Sequence, residues 1–104
     1  MTYGIYRHMT AVLLIRERMI FEDGAIIEIR VWRVPEPVTP SRHHLKYSLF
    51  YGRPGMRLVG YDNERGKGDH RHYGEREENY RFRSIDGLLA DFRRDVELLR
   101  GEKI

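Results

Sequence analysis

Apolar and polar side chains alternate with a period of two on both sides of Asp23-Gly24. That pattern leaves the first third of the chain little choice but a hairpin with one buried face. On the first arm Met9, Ala11, Leu13 and Ile15 alternate with Val12, Leu14 and Arg16. On the second, Ala25, Ile27, Ile29 and Val31 alternate with Glu28, Arg30 and Arg33. Asp-Gly suits the positive φ values of a tight type I′ turn, so the first hairpin is expected over 9–34. Pro35, Pro37 and Pro40, with Thr39 and Ser41, end it in a Pro-rich loop over 35–41, because proline cannot donate to a ladder.

A second hairpin is expected over 44–62. Leu45, Tyr47, Leu49 and Tyr51 form one face, Gly52 to Gly55 the turn, and Met56, Leu58 and Gly60 the returning face. Asp62–Asp69 holds two glycines and no apolar residue, so a charged surface loop is expected over 62–72. A fifth, less regular strand falls within His70–Arg83, with Tyr80 and Phe82 turned inward. The end reads as a helix over 84–100. Ser84 suits the N-cap, Asp86 the positive end of the dipole, and Gly101 the stop. Ile85, Leu88, Leu89, Phe92, Val96 and Leu99 make one apolar stripe. Asp91 with Arg94 and Arg93 with Glu97 read as pairs on the outer face. The expected fold is therefore α+β: an antiparallel sheet of about five strands packed by one C-terminal helix.

At 104 residues the chain has the length of one domain and one core. Charged residues reach 34%, above the ~25% usual in globular chains, which implies a thin domain with much surface. No cysteine is present, which excludes disulfides, thiolate metal sites and thiol nucleophiles and fits a reducing cytoplasm. Ala11–Ile15 is ended at once by Arg16, Glu17 and Arg18, and no apolar run approaches the ~20 residues of a membrane span. A cytoplasmic protein without a membrane partner is expected.

Net charge is +3, and the excess lies early. Residues 1–60 carry nine Lys/Arg against five Asp/Glu, while 61–83 carry six of each. Histidines at 8, 43 and 44 add to that half. A basic bias of this kind invites a nucleic-acid partner.

Chemistry concentrates in Tyr61–His72, where eight of twelve residues are ionisable: Asp62, Glu64, Arg65, Lys67, Asp69, His70, Arg71 and His72. The glycines around Lys67 would make the loop adaptable, though the spacing is not that of a P-loop. Three readings compete. In the first, the loop cleaves RNA without a metal or cofactor. His70 and His72 act as acid and base, since imidazole titrates near ~6.5. In an extended segment both rings lie on one side. Lys67 and Arg71, with Arg65, steady the phosphate, and Asp62 or Asp69 orients a histidine. In the second, Asp62, Asp69, His70 and His72 hold a metal. In the third, the acids shape turns and the cations solvate a loop. Lys46, beside Arg42, His43 and His44, could line the same basic surface. Tyr47, Tyr51 and Tyr61 could stack on bases or pack in the core. Trp32, between Arg30 and Arg33, could anchor a partner or pack in the core.

The hairpin Leu13–Val34 with Phe21-Glu22-Asp23-Gly24, the Lys46-Tyr47 strand, Tyr61-Asp62-Asn63 and His70-Arg71-His72 together resemble the TumE-type toxin family of bacterial toxin–antitoxin pairs. The resemblance runs from about Ala11 to Leu99, and Tyr-Asp-Asn followed by paired histidines is its most distinctive part. The stretch between them is short, and its Gly66-Lys67-Gly68 suggests a distinct branch. The resemblance implies a small toxin that meets a helix-turn-helix antitoxin and acts on RNA; the site residues rest on their chemistry alone. The leading expectation is a metal-independent endoribonuclease toxin. A non-catalytic nucleic-acid- or protein-binding module and a metal-dependent phosphodiesterase are its rivals. Open sheet edges favour a homodimer or a tight antitoxin complex.

Overall fold

A computed structural model describes residues 11–104; Met9 and His8 lie outside them. Six strands form one antiparallel sheet in chain order: β1 (Val12–Ile20), β2 (Ile26–Arg33), β3 (Leu45–Arg53), β4 (Met56–Glu64), β5 (Gly68–Tyr73) and β6 (Arg76–Asn79). One helix follows, α1 (Ile85–Arg100). The α+β architecture is as expected, with one strand more. The extra strand arises because Gly74, at φ 60°, opens a two-residue turn that folds the His70–Arg83 segment back on itself.

The alternation read from β2 and β3 holds. Ala25, Ile27 and Val31 join Tyr47, Leu49 and Tyr51 in the core, which Leu88, Phe92 and Val96 of α1 close from one side. We call the opposite side of the sheet the far face. Two bulges displace the pattern elsewhere. In β1 the register shifts between Leu13 and Ile15, so Leu13 leaves the face of Ile15 and stands 42% exposed. In the second hairpin it shifts between Tyr51 and Gly52. A bulge moves every later side chain to the other face. The core therefore receives Val59, Tyr61 and Asn63 in place of the expected Met56, Leu58 and Gly60; Met56 is exposed, and Leu58 only packs half-buried against it.

The first turn also differs from expectation. Asp23 has no positive φ; Gly24 alone does, at 87°. Phe21 donates to the Ala25 carbonyl and Gly24 to that of Phe21, a three-residue loop in which glycine takes the left-handed position. Asp23 Oδ1 accepts the Ala25 N–H at 3.0 Å.

The helix begins and ends as its caps predict. Ser84 Oγ accepts the Gly87 N–H at 3.0 Å, and Gly101 sits at φ 71°. Its stripe stops early, however: Leu99 is exposed. At that end Arg100 does the packing, with its guanidinium 3.7 Å over the Phe21 ring and bonded to the Tyr51 hydroxyl. Asp91 belongs to no outer face. It is buried, and accepts from Tyr80, Arg83 and Arg94.

Candidate functional site

The segment 62–72, expected as a loop, is strand for most of its length. β4 runs through Asp62, Asn63 and Glu64, three residues turn, and β5 returns from Gly68. The turn is anchored rather than hinged. Gly66 donates to the Thr39 carbonyl at 2.7 Å. Gly68, at φ 78°, leaves so little room beside Pro40 that a Cβ would stand 3.1 Å from its Cγ.

Strand pairing then sorts the predicted residues onto two faces, since neighbours along a strand point oppositely. Asp62 lies opposite His70, and Gly60 opposite His72, all on the far face. Tyr61 lies opposite Arg71, and Asn63 opposite Asp69, on the face toward α1.

On the α1 side the residues are structural. Asp69 accepts from Tyr47 Oη at 2.6 Å and Ser41 Oγ at 3.0 Å, and meets His43 Nε2 at 2.8 Å. The Leu45 N–H donates to His43 Nδ1, so in the neutral ring the proton sits on Nε2 and goes to Asp69. Asp69 therefore cannot orient His70 or His72, nor join them and Asp62 around a metal. Among the described residues no three His, Cys, Asp or Glu side chains gather in a way that could hold a metal ion.

Arg71 is likewise withdrawn from the histidines. Its Nε donates to Glu78 at 2.6 Å, and its guanidinium lies 5.4 Å from the Tyr73 ring centre. Burial lowers its pKa, but bonds to Tyr61 and Glu78 outweigh that and hold it above the ordinary range. Tyr47 and Tyr61, expected to meet substrate, are 1% and 0% exposed and offer no ring for a base to stack on. Burial first, and then Asp69 or Asp95, push both phenols up, so they stay protonated donors. Tyr61 bonds Asp95 of α1, as does Tyr73 at 2.9 Å.

The far face gathers the rest. His70 Nδ1 lies 3.1 Å from the Gly68 carbonyl. A carbonyl only accepts, so in the neutral ring Nδ1 carries the proton and Nε2 keeps a free lone pair. His72 has the opposite arrangement. Arg57 donates to its Nδ1 at 3.0 Å, and Nε2 faces Asp62 at 3.4 Å and Glu77 at 3.6 Å. Arginine only donates, so the proton of the neutral His72 sits on Nε2. Lys67 Nζ stands 3.6 Å from Glu77. Arg65 is exposed at the turn, and Lys46 reaches the Asn63 carbonyl from the far face.

Arg57 and Glu77 are site residues that sequence reading missed. Arg57 arrives there through the bulge at Leu58 and crosses over Gly60. A Cβ on Gly60 would stand 2.6 Å from Arg57 Cδ. Glu77 comes with the unforeseen sixth strand. The glycine at 60, two residues before Asp62, was the one visible signal that something lies over this strand.

No helix among the described residues is long and apolar enough to cross a membrane. No curated protein and no solved structure matches the chain. A family model described as toxin TumE matches residues 7–100, a span that includes the whole sheet, both of its faces and the helix. The chain thus belongs to the TumE toxin family, the toxin side of a toxin–antitoxin pair.

Proposed function

We propose that this toxin is a metal-independent endoribonuclease of the cytoplasm, with His70 as the base and His72 as the acid. One observation carries the reading: two imidazoles share the far face with opposite proton arrangements, a free Nε2 lone pair on His70 and an Nε2–H on His72. An acid–base pair needs one ring with a free lone pair, which His70 Nε2 offers. It also needs one that can hold and give up a second proton, for which Asp62 and Glu77 stand beside His72 Nε2.

In the reaction His70 Nε2 takes the proton of the 2′-hydroxyl, and that oxygen attacks the adjacent phosphorus. The bond to the 5′-oxygen breaks, and the leaving oxygen takes the His72 proton. The products are a 2′,3′-cyclic phosphate and a 5′-hydroxyl. Asp62 and Glu77 hold the His72 ring and support the charge it carries once Nδ1 is protonated, for which Arg57 releases that nitrogen and turns to the phosphate. Arg57 and Lys67 offer positive charge to the phosphate. Among the described residues β1 has no strand on its outer side, an edge that supports docking of a helix-turn-helix-type antitoxin.

Replacing His70 or His72 by alanine is expected to lower RNA cleavage by about 10²–10⁴-fold each. Growth arrest should disappear in both, while the melting curve of the His70 variant stays in place. Fragments from the parent protein should end in 2′,3′-cyclic phosphate, with full activity in chelator. Undiminished arrest by a folded double variant would sink the assignment, and activity lost to chelator would favour a metal-dependent phosphodiesterase.

A further inference from the structure

The strand registers align into rows that cross the entire sheet. One far-face row reads Arg16, Arg30, Ser48, Asp62, His70, Asn79. Its neighbour reads Arg18, Glu28, Phe50, Gly60, His72, Glu77. A third begins with Leu13, Trp32 and Lys46. The histidines stand at one end of these rows and a basic, aromatic group at the other. Strands lie ~4.8 Å apart, which puts Arg30 about 14 Å and Arg16 about 19 Å from His70. Between them Ser48 is exposed, Gly60 is crossed by the Arg57 side chain, itself a cation, and Asp62 is the one carboxylate in the first row.

At the far end Arg18 lies directly opposite Glu28, a favourable pair, but Arg16 and Arg30 are not balanced. Arg16 lies directly opposite Arg30, and like charges across a strand pair destabilise it. Among the described residues of β1 and β2, Glu28 is the only far-face carboxylate near Arg16, Arg18 and Arg30. Its contact with Arg30 is long, at 3.9 Å, and exposed, a kind that contributes little. Trp32 beside them is 36% exposed. Unbalanced guanidiniums beside an available indole match a chain of phosphates with unpaired bases, because only an unpaired base can present its face to a side chain.

We propose that the far face is a track for single-stranded RNA. The scissile phosphate sits at His70 and His72, and flanking nucleotides cross β4 and β3 to β2 and β1. There Arg16, Arg18 and Arg30 hold phosphates and Trp32 stacks on a base. The direction of the track rests on the ribonuclease reading; the binding itself does not.

The test uses the full chain carrying His70→Ala, so that RNA survives, with a labelled single-stranded oligonucleotide of roughly 10 residues. Anisotropy is followed across salt concentrations. Combining Arg16→Gln, Arg18→Gln and Arg30→Gln should weaken binding and flatten the logarithmic salt slope by about 2, from ~0.7 per phosphate contact. Trp32→Ala should weaken binding about tenfold with little change in slope, a matched duplex should bind less well, and Arg93→Gln on α1 should change nothing. A folded triple variant that binds with the parent's affinity and slope overturns the track. So does a triple variant that keeps RNA and loses the antitoxin, because these arginines would then serve an acidic protein. Should the His70 and His72 variants stay toxic while the salt signature holds, the cleavage reading falls and the track stands.

Discussion

Replacing Asn63 by alanine is expected to cost roughly 2–4 kcal/mol, because two buried backbone groups lose their partners together. Asn63 is 0% exposed. Its Oδ1 accepts the Tyr47 N–H at 3.0 Å, and its Nδ2 donates to the Leu45 carbonyl at 2.7 Å. The β3–β4 ladder ends at Ser48 and Asp62, so this one side chain continues it. A fall in the urea midpoint at unchanged slope would register the loss; a midpoint close to the parent's would refute the account. The same residue shows what was legible and what was not. Tyr61-Asp62-Asn63 stands out in the sequence as one motif, yet its members serve three ends: Tyr61 ties the sheet to α1, Asp62 faces His72, and Asn63 holds β3. Alternation along a strand explains the division, but it becomes visible only once the segment is known to be a strand. A stretch with no apolar residue gave no such sign, because the positions it buries are filled by Asn63, Gly68 and His72.

Elements were legible where period and punctuation agreed. The position of the Asp23-Gly24 turn, though not its type, the β2 and β3 alternation, and the caps of α1 needed only local rules. The bulges at Leu14 and Leu58 were not legible, since an extra residue in a strand leaves no mark in composition, and each displaced a face. The joint between α1 and the sheet was equally hidden, and it is polar. Tyr61 and Tyr73 donate to Asp95, and Tyr80 donates to Asp91. Burial, reinforced by these carboxylates, raises all three phenols above the ordinary tyrosine value of 10.0. Above that pH the unfolded chain releases protons that the folded chain still holds. This contribution to stability is therefore complete below pH 10 and declines as pH rises beyond it. An alkaline titration should show these phenols ionising in one step with loss of the helix signal. Smooth ionisation near 10 with the helix intact would contradict the joint.

At the scale of the molecule, one sheet divides its labour by face. The side toward α1 holds the core and the tyrosine–carboxylate bonds; the other side holds two histidines and a row of unbalanced cations. Charge counting along the chain located the basic half, but not that β1 and β2 carry it on the face of the histidines, because that follows from register. Among the described residues the sheet also leaves β1 at its rim, with Arg16, Glu17 and Arg18 at mid-strand. A second copy laid antiparallel along this rim needs a two-fold axis. Centred on Arg16, Glu17 or Arg18, that axis sets a charge against its own image. The isolated chain should accordingly sediment as a monomer at low salt, and a stable dimer there would disprove this. A strand of different sequence suffers no such reflection. The rim can thus tell self from stranger, and a toxin that declines its own copy keeps that edge vacant for its antitoxin.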